Sequence, residues 1–440
     1  MRKQAFKTPH GLLTRCAALL LTATAWPSLS AGAGGLVPQH SEDLRPALKR
    51  APDGNTATLE LGAAGRDFRL QLSNNQRLAH LAAGSSMQLY KGAIEGVPGS
   101  WARITIQDGL PRGMIWDGRE LYIVDAPPEG VNYGAAGTVM FKLSDAVLEH
   151  GVSLGDDAVE KPRDAAAAYG ALIEELRAIP PALQAAAATQ RVEVSILGDS
   201  AYVARFANEA AARDAILTRI NNVDGIFSAQ VGVELQVVSV SLAGEVPAGL
   251  SDSTSSSTLL ESLAQLRQNS PSLSATGLTH LFTGRQLDGN SAGIAYLEAV
   301  CSRRFGASLT MALSNVTIDS LVTAHEIGHL FGAPHDGADE CAATPQNQFI
   351  MTPTLTTAVS SFSQCSLDQI NAVIDSYSCL VDIPPTAPTP TPPAPTPPSP
   401  PPSDGDGGGG GGSLEPLLLL LLLALMAAGV HRRADRRTRR

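Results

Sequence analysis

Two histidines and a glutamate occur together in the segment His325–Asp336, which reads HEIGHLFGAPHD. His325 and His329 are four residues apart, so on a helix both imidazoles project from one face and can bind one metal ion. Glu326 follows the first histidine directly. From this position its carboxylate can reach a metal-bound water as a general base without being a ligand itself.

The residues after this predicted helix can supply a third ligand. Gly332 can end the helix in a left-handed conformation, and Pro334 keeps the following residues out of a helix. This reversal can bring His335 back to the other two histidines. Three neutral imidazoles with an open fourth position are typical of a catalytic zinc site rather than a structural one. The alternative is an amphipathic helix with surface or core histidines, but the five fixed positions of HExxHxxGxxH make it much less favoured.

The extended pattern resembles the signature of the metzincin metallopeptidases, in which a methionine turn follows the motif. Met351 lies in Phe349–Pro353, next to a tight-turn proline, and we expect it to form an apolar floor under the zinc without binding it. Asp336, directly after the third histidine, is also what the reprolysin (adamalysin/ADAM) branch carries. The resemblance implies that Asp336 supports the methionine turn through hydrogen bonds.

The resemblance to reprolysins covers roughly residues 191–380. It implies an α/β (α+β) catalytic domain with a mixed five-stranded sheet and an active-site helix, preceded by a β-rich prodomain. It further implies a zinc endopeptidase that acts on proteins or peptides, with Zn²⁺ held by His325, His329 and His335. Gly293–Leu297 is then the expected sheet edge for an extended substrate. The matching pieces are Val192–Val194, Leu278–Arg285, Gly293–Tyr296, Cys301 and Phe362–Ser366.

The N-terminal half resembles a reprolysin propeptide, chiefly in Leu89–Gly92 and Gly99–Ala102, so we expect a zymogen. Many such propeptides silence the zinc with a cysteine thiolate, but this chain has no cysteine between Cys16 and Cys301. Another group or simple occlusion must therefore act if this half inhibits. Of the family's calcium-site acids, Glu193 is present, but no matching Asp lies near Leu278, which leaves calcium binding in doubt.

Composition argues against nucleic acid as a partner. The net charge of −10 includes four basic residues in 1–31 and six arginines against one aspartate in 431–440, so the rest of the chain carries −19. Such an acidic body is a poor nucleic-acid binder. After Cys16, four cysteines remain, all in the catalytic half, and an even number favours two disulfides in an exported protein. Three pairings are open, of which we favour Cys301–Cys379 and Cys341–Cys365.

The ends of the chain carry the expected targeting signals. A basic start, an apolar stretch and small residues near Ala31 or Ala33 predict a secretory signal peptide. Near the other end, six glycines precede fourteen apolar residues and an arginine-rich tail, which resembles a Gly-Gly sorting signal of Gram-negative bacteria. The resemblance implies export by type II secretion, temporary anchoring of this helix in the inner membrane, and its removal by a rhomboid-type protease. The expected location is the cell surface or the medium.

The predicted organisation has six parts. Alternating strand patterns with turn signals favour a β-rich domain, and strand–helix alternation favours a mixed sheet in the domain that follows. A Pro/Thr repeat then predicts an extended spacer. The parts are a signal peptide (1–31), a β-rich propeptide-like domain (36–160), an Ala-rich connector (161–190), the catalytic domain (191–382), a Pro/Thr- and Gly-rich linker (383–412) and the sorting signal (413–440).

Two other functions compete with an endopeptidase. The first is a surface binding protein with a purely structural metal site, but such a site has no need of Glu326. The second is a zinc hydrolase that acts on non-peptide amides or glycans, which the sequence leaves open. His280 lies on a strand close to the motif in the fold, and we interpret it as a structural histidine.

Overall fold

The computed structural model describes residues 36–39, 42–43, 46–63, 65–126, 137–148, 152–154, 158–160, 188–313 and 315–384. The predicted signal peptide, most of the predicted connector, and the linker and apolar tail beyond residue 384 lie outside these ranges. The described residues all belong to one compact unit, Met1–Pro385.

The N-terminal half forms a nine-stranded antiparallel sheet in the order β2-β10-β9-β8-β7-β6-β5-β4-β3, with β1 paired to β11 beside it. Alternation of apolar and polar residues explains the strands: in Arg66–Asn74 the apolar Phe68, Leu70 and Leu72 are buried while the residues between them are exposed. The strands are β1 (Leu36–Pro38), β2 (Glu42–Asp43), β3 (Ala47–Arg50), β4 (Thr56–Ala63), β5 (Arg66–Asn74), β6 (Gln88–Ile94), β7 (Trp101–Gln107), β8 (Leu110–Trp116), β9 (Leu121–Asp125), β10 (Val139–Lys142) and β11 (Ala146–Leu148).

The second sheet is mixed and contains the strands of the predicted catalytic domain, in the order β13-β17-β18-β16-β14-β15. Four strands are parallel to one another, and β17 is antiparallel to β18. A separate two-stranded pair joins β12 to β19. The strands are β12 (Val152–Ser153), β13 (Ala158–Glu160), β14 (Gln190–Gly198), β15 (Val233–Leu242), β16 (Leu278–Thr283), β17 (Gly293–Leu297), β18 (Ala307–Met311), β19 (Thr354–Leu355) and β20 (Val381–Asp382).

The prediction of a five-stranded sheet is wrong by two strands. β20 pairs with the beginning of β14, and β13 pairs with β17. Both additions are two or three residues long. Such short strands are set by tertiary pairing and leave no alternation pattern in the sequence. Within residues 191–382, Gly293–Leu297 is the edge strand, as expected, and β13 from the region predicted as propeptide-like pairs with its outer side.

Seven α-helices accompany the sheets in the described residues: α1 (Gln76–Ala79), α2 (Ser200–Val203), α3 (Glu209–Ile226), α4 (Ser256–Asn269), α5 (Pro271–Ser274), α6 (Val316–Leu330) and α7 (Gln364–Ile374). Helix α6 carries the zinc motif and packs against α3, β17 and β18. The side chain of Asn315 caps α6 by accepting hydrogen bonds from the backbone N–H groups of Thr317 and Ile318. Asp319 pairs inside the protein with Arg219 of α3 at 2.5 Å, which fixes the two helices together.

Two disulfides close the catalytic half, Cys301–Cys379 and Cys341–Cys365. These are the pairings favoured by the sequence analysis. Within the described part of the chain, no helix has the length and apolar character needed to cross a membrane. The predicted membrane helix at 417–430 lies outside that part.

Candidate functional site

The imidazole rings of the three motif histidines lie close together. His325 and His329 lie one turn apart on α6, and Gly332 follows with a φ of +98°, the left-handed conformation that glycine favours. The loop after Gly332 then returns His335 to the helix. One ring nitrogen from each histidine lies within 4.8 Å of the others, and the Nε2 atoms of His325 and His335 are 3.2 Å apart.

Backbone carbonyls orient two of these rings. The Nδ1 atom of His325 is 2.7 Å from the carbonyl oxygen of Ile350, and that of His329 is 2.8 Å from the carbonyl oxygen of Ala333. A carbonyl only accepts hydrogen bonds, so Nδ1 carries the proton in both rings and Nε2 keeps its lone pair. This donor set fits Zn²⁺, which binds neutral imidazole nitrogens at about 2.0–2.1 Å in a tetrahedral arrangement.

Glu326 is fully buried beside these histidines. A Cβ atom built at Gly293 would collide with the Glu326 carboxyl group, so glycine at the start of β17 makes room for this side chain. The carboxyl group therefore contacts the start of β17, the strand predicted to bind substrate.

Met351 lies under the motif helix. A Cβ atom at Gly328 would lie 2.8 Å from Sδ of Met351, so the glycine of the motif permits the methionine to pack directly against α6. Met351 is fully buried. The residue before it, Ile350, supplies the carbonyl that orients His325. The turn thus orients the ring of His325 and packs Met351 against the motif helix.

Asp336 connects the third histidine to this turn. Its backbone N–H donates to the carbonyl oxygen of Met351 at 2.8 Å. Its carboxylate accepts hydrogen bonds from the hydroxyl groups of Ser363 at 2.6 Å and Ser366 at 3.3 Å. Burial raises the pKa of Asp336, and the two serine hydroxyls oppose that effect. Asp336 thereby fixes the loop that carries His335 to both the methionine turn and the start of α7.

His280 does not join the metal-binding cluster. Its Nδ1 atom lies 2.8 Å from the Ser308 hydroxyl group, and its Nε2 atom lies 3.1 Å from the Thr310 hydroxyl group. Burial lowers its pKa to about 3, which keeps the ring neutral. These contacts are those of a structural histidine in the sheet.

Three contributors to the site do not follow from the sequence motif. Gly293 is a strand glycine, a general sign of close backbone approach. It gave no indication, however, that the approaching group is Glu326. The carbonyl groups of Ile350 and Ala333 are backbone atoms, so no residue type signals them.

Four features together define the catalytic domain of a zinc metallopeptidase. They are the mixed sheet, the helix with its paired histidines, the returning third histidine and the methionine turn. Residues 188–363 match the model of metallo-peptidase family M12, of the reprolysin type. This part of the chain is thus similar to reprolysin-type M12 metallopeptidase domains.

Three relatives illustrate the similarity. The chain is 29% identical over 109 residues to the snake venom metalloproteinase trimerelysin-2 of Protobothrops flavoviridis, covering 24% of this chain and 53% of the relative. It is 32% identical over 108 residues to the snake venom metalloproteinase TM-1 of Protobothrops mucrosquamatus, covering 24% and 52%. It is 25% identical over 411 residues to human "a disintegrin and metalloproteinase with thrombospondin motifs 14", covering 81% and 33%. The chain therefore spans about half of each venom protein and a third of the human one.

Proposed function

We propose that the protein is a zinc-dependent endopeptidase that hydrolyses peptide bonds in proteins or peptides. The observation that carries this proposal is the convergence of His325, His329 and His335, whose ring nitrogens lie within 4.8 Å of one another beside the buried Glu326. A purely structural metal site gains nothing from a buried carboxylate at that position, because burying a charge is costly.

Each residue of the site has a separate role in the proposed hydrolysis. Zn²⁺ bound by the three histidines would polarise the scissile carbonyl and lower the pKa of the attacking water. Glu326 accepts the proton of that water and later transfers it to the leaving amine. The carbonyl groups of Ile350 and Ala333 hold two imidazoles in the tautomer that keeps Nε2 available. Asp336 and Met351 hold the loops that carry these groups.

An extended polypeptide is the substrate form that the site favours. Gly293 at the start of β17 contacts Glu326. When β13 is displaced, the outer side of β17 is available for backbone pairing with a substrate. Backbone pairing along a strand recognises any extended chain, while side-chain pockets select among sequences. This supports endopeptidase activity over hydrolysis of glycans or small amides.

We also propose that the enzyme works outside the cytoplasm, at the cell surface or in the medium. The two disulfides of the catalytic half support this location, because disulfides persist in oxidising compartments. Type II secretion, the temporary membrane anchor and its removal by a rhomboid-type protease rest on the sequence patterns alone. The mass and N-terminal sequence of the form recovered outside the producing cells test these steps, and a purely cytoplasmic protein with four free thiols would contradict export.

Replacement of Glu326 by Gln tests the catalytic proposal. The amide keeps the size of the side chain but cannot accept the proton, so we expect hydrolysis of a denatured protein to fall on the order of 10² to 10⁴-fold. Zinc content should stay unchanged, because Glu326 is not a ligand. Hydrolysis is measured on the full chain and again in a background carrying Leu154→Lys, and the comparison is made in the background in which the chain without the Glu326 change is active.

The matched control is Glu340→Gln, which makes the same chemical change at an exposed residue of the same region. It should keep wild-type hydrolysis and zinc content. Hydrolysis by Glu326→Gln at the rate of this control would contradict the proposed mechanism. Cleavage of model amides or glycans without any peptide-bond cleavage would favour the non-peptide hydrolase instead.

A further inference from the structure

Two short stretches at the end of the N-terminal half pair with β19 and with β17, the strand predicted to bind substrate. We call β17 and β19, with the residues next to them, the two rims of the proposed substrate groove. We call Val152–Leu154 and Ala158–Glu160 together the groove segment. Val152 and Ser153 pair antiparallel with Leu355 and Thr354, shortly after the methionine turn. The backbone N–H of Leu154 donates to the carbonyl oxygen of Pro353 at 2.8 Å. One rim of the groove is thus hydrogen-bonded to the chain's own residues.

The other rim is bonded as well. Ser153 forms a parallel bridge with Ser291, and its carbonyl oxygen accepts a hydrogen bond from Ala292 at 3.2 Å. Further along, Ala158–Glu160 pairs in parallel with Ala295–Leu297. These two pairing points lie on either side of Gly293, the residue that contacts Glu326. The segment therefore uses the strand edge that an extended substrate needs, both before and after the catalytic position.

The side chains of the groove segment also fill apolar space. Val152 has 2% of its surface exposed and Leu154 has none, and both belong to the buried apolar cluster that includes Met351 and Leu355. Val159, paired opposite Tyr296, lines a cavity of about 390 Å³ whose wall also contains Phe305 and the charged Glu261 and Arg304. A substrate would have to displace these side chains as well as the backbone hydrogen bonds.

The N-terminal sheet is fastened to the catalytic half independently of the groove. Asp224 of α3 is fully buried and pairs with Arg77 at 2.5 Å and Arg103 at 3.0 Å, two residues of the N-terminal half. A Cβ atom at Gly225 would lie 2.7 Å from side-chain atoms of both Trp101 and Arg103, so the strand packs directly on the helix. None of these contacts uses the predicted connector at 161–190.

We propose that the groove segment is a built-in competitive inhibitor, which keeps the enzyme latent by occupying both rims of the substrate groove rather than by a cysteine thiolate. This inference rests on the proposed peptidase function. Because the N-terminal sheet is held through Asp224, a cut in the predicted connector leaves the segment in place. The enzyme becomes active when the segment leaves the groove, not when the connector is cut.

Leu154→Lys tests the proposal in the full chain. A lysine cannot be buried there without a large desolvation cost, so the segment should leave the groove. We expect hydrolysis of a denatured protein to rise on the order of tenfold or more, because the competent state becomes populated. Amide hydrogen exchange at Gly293–Leu297 should accelerate to the same extent. The matched control is Val147→Lys, the same change at an exposed position just before the segment.

A second pair of measurements separates this inference from the peptidase function. In a Glu326→Gln background, the zinc-loaded chain with Leu154→Lys should bind a peptide hydroxamate on the order of tenfold more tightly than the chain without it. If binding and exchange respond but no variant hydrolyses peptides, the inhibitor role stands and the peptidase proposal fails. If wild-type chain is fully active and neither binding nor exchange responds, the inhibitor role fails and the peptidase proposal stands.

Two further experiments complete the design. Val159→Lys replaces Leu154→Lys if the latter does not fold, since Val159 is only partly buried. A specific protease site introduced within 164–187 tests the role of the connector. After that cut, both halves should elute together and hydrolysis should stay at the uncut level. Full activation by that cut alone would overturn the proposal.

Discussion

At the scale of single residues, Gly293 contributes to the active site by leaving room for Glu326. A side chain at this position would collide with the Glu326 carboxyl group and force it to move. The position of the proposed base thus depends on a residue that has no side chain. The same holds for Gly328, whose missing side chain lets Met351 pack against the motif helix.

Gly293→Ala should therefore impair catalysis more than folding. A displacement of about 1 Å at a reacting group can cost on the order of 10²-fold in rate, and we expect a loss of that size in kcat. Steady-state hydrolysis by a groove-opened chain measures it. Gly62→Ala is the matched control, because that strand glycine has an ordinary 3.4 Å contact at the added carbon. Equal kcat in both variants would show that Gly293 does not position Glu326.

Sequence predicts the residues of this site better than their surroundings. The HExxHxxGxxH spacing places His325, His329 and His335 on one helix and its return, because that geometry is local. The backbone carbonyl groups that accept hydrogen bonds from the histidines are not predictable in this way. Ile350 lies 25 residues from His325 in sequence, and only the folded turn shows that its carbonyl oxygen meets the ring.

At the scale of secondary-structure elements, the contact between α3 and the N-terminal sheet rests on one buried carboxylate. Burial by itself raises the pKa of Asp224, but Arg103 and Arg77 more than offset this effect and lower the pKa to about 2. Leaving the two guanidinium groups buried without that carboxylate would be costly. The alternation in Trp101–Ile106 predicts a strand. It does not predict that the side bearing Arg103 is buried against a helix.

This contact should weaken in acid. Because the folded pKa of Asp224 is below its unfolded value of 3.8, the carboxylate stabilises the fold above about pH 4, and that contribution is lost as the pH falls toward 2. Asp224→Asn should lower the free energy of unfolding by about 3–5 kcal/mol at neutral pH and show a smaller loss below pH 4. Urea unfolding at pH 7, 4 and 3 measures both.

The control for this experiment is Asp375→Asn, the same change at an exposed residue. It should match the wild-type protein in stability and in the acid-dependent loss. The same acid-dependent loss in Asp224→Asn as in this control would show that the Asp224 pairs do not hold the sheet to α3.

At the scale of the whole molecule, the two halves share one apolar core. The larger buried cluster contains Trp101, Met114 and Ile123 of the N-terminal sheet together with Val223 and Phe227 of the catalytic half. Loss of the N-terminal half would expose apolar surface on α3, which is unfavourable in water. The β-rich N-terminal region and the mixed sheet were predictable from alternation, whereas the joint core was not, because no local pattern shows which faces meet.

The groove segment shows most clearly which contacts a sequence pattern does not predict. Val152–Ser153 and Ala158–Glu160 are two and three residues long, and each becomes a strand only because a partner strand lies beside it. Sequence excluded a cysteine as the inhibiting group and left occlusion open. The fold supplies the occluding residues.

The central claim is that His325, His329 and His335 hold a zinc ion that hydrolysis requires. The most direct measurement is zinc titration of metal-depleted full chain with the groove opened, following hydrolysis of a denatured protein. The account predicts no hydrolysis without metal and full recovery at about one Zn²⁺ per chain. Full hydrolysis by metal-free protein, or zinc binding at one per chain without any hydrolysis, would contradict it.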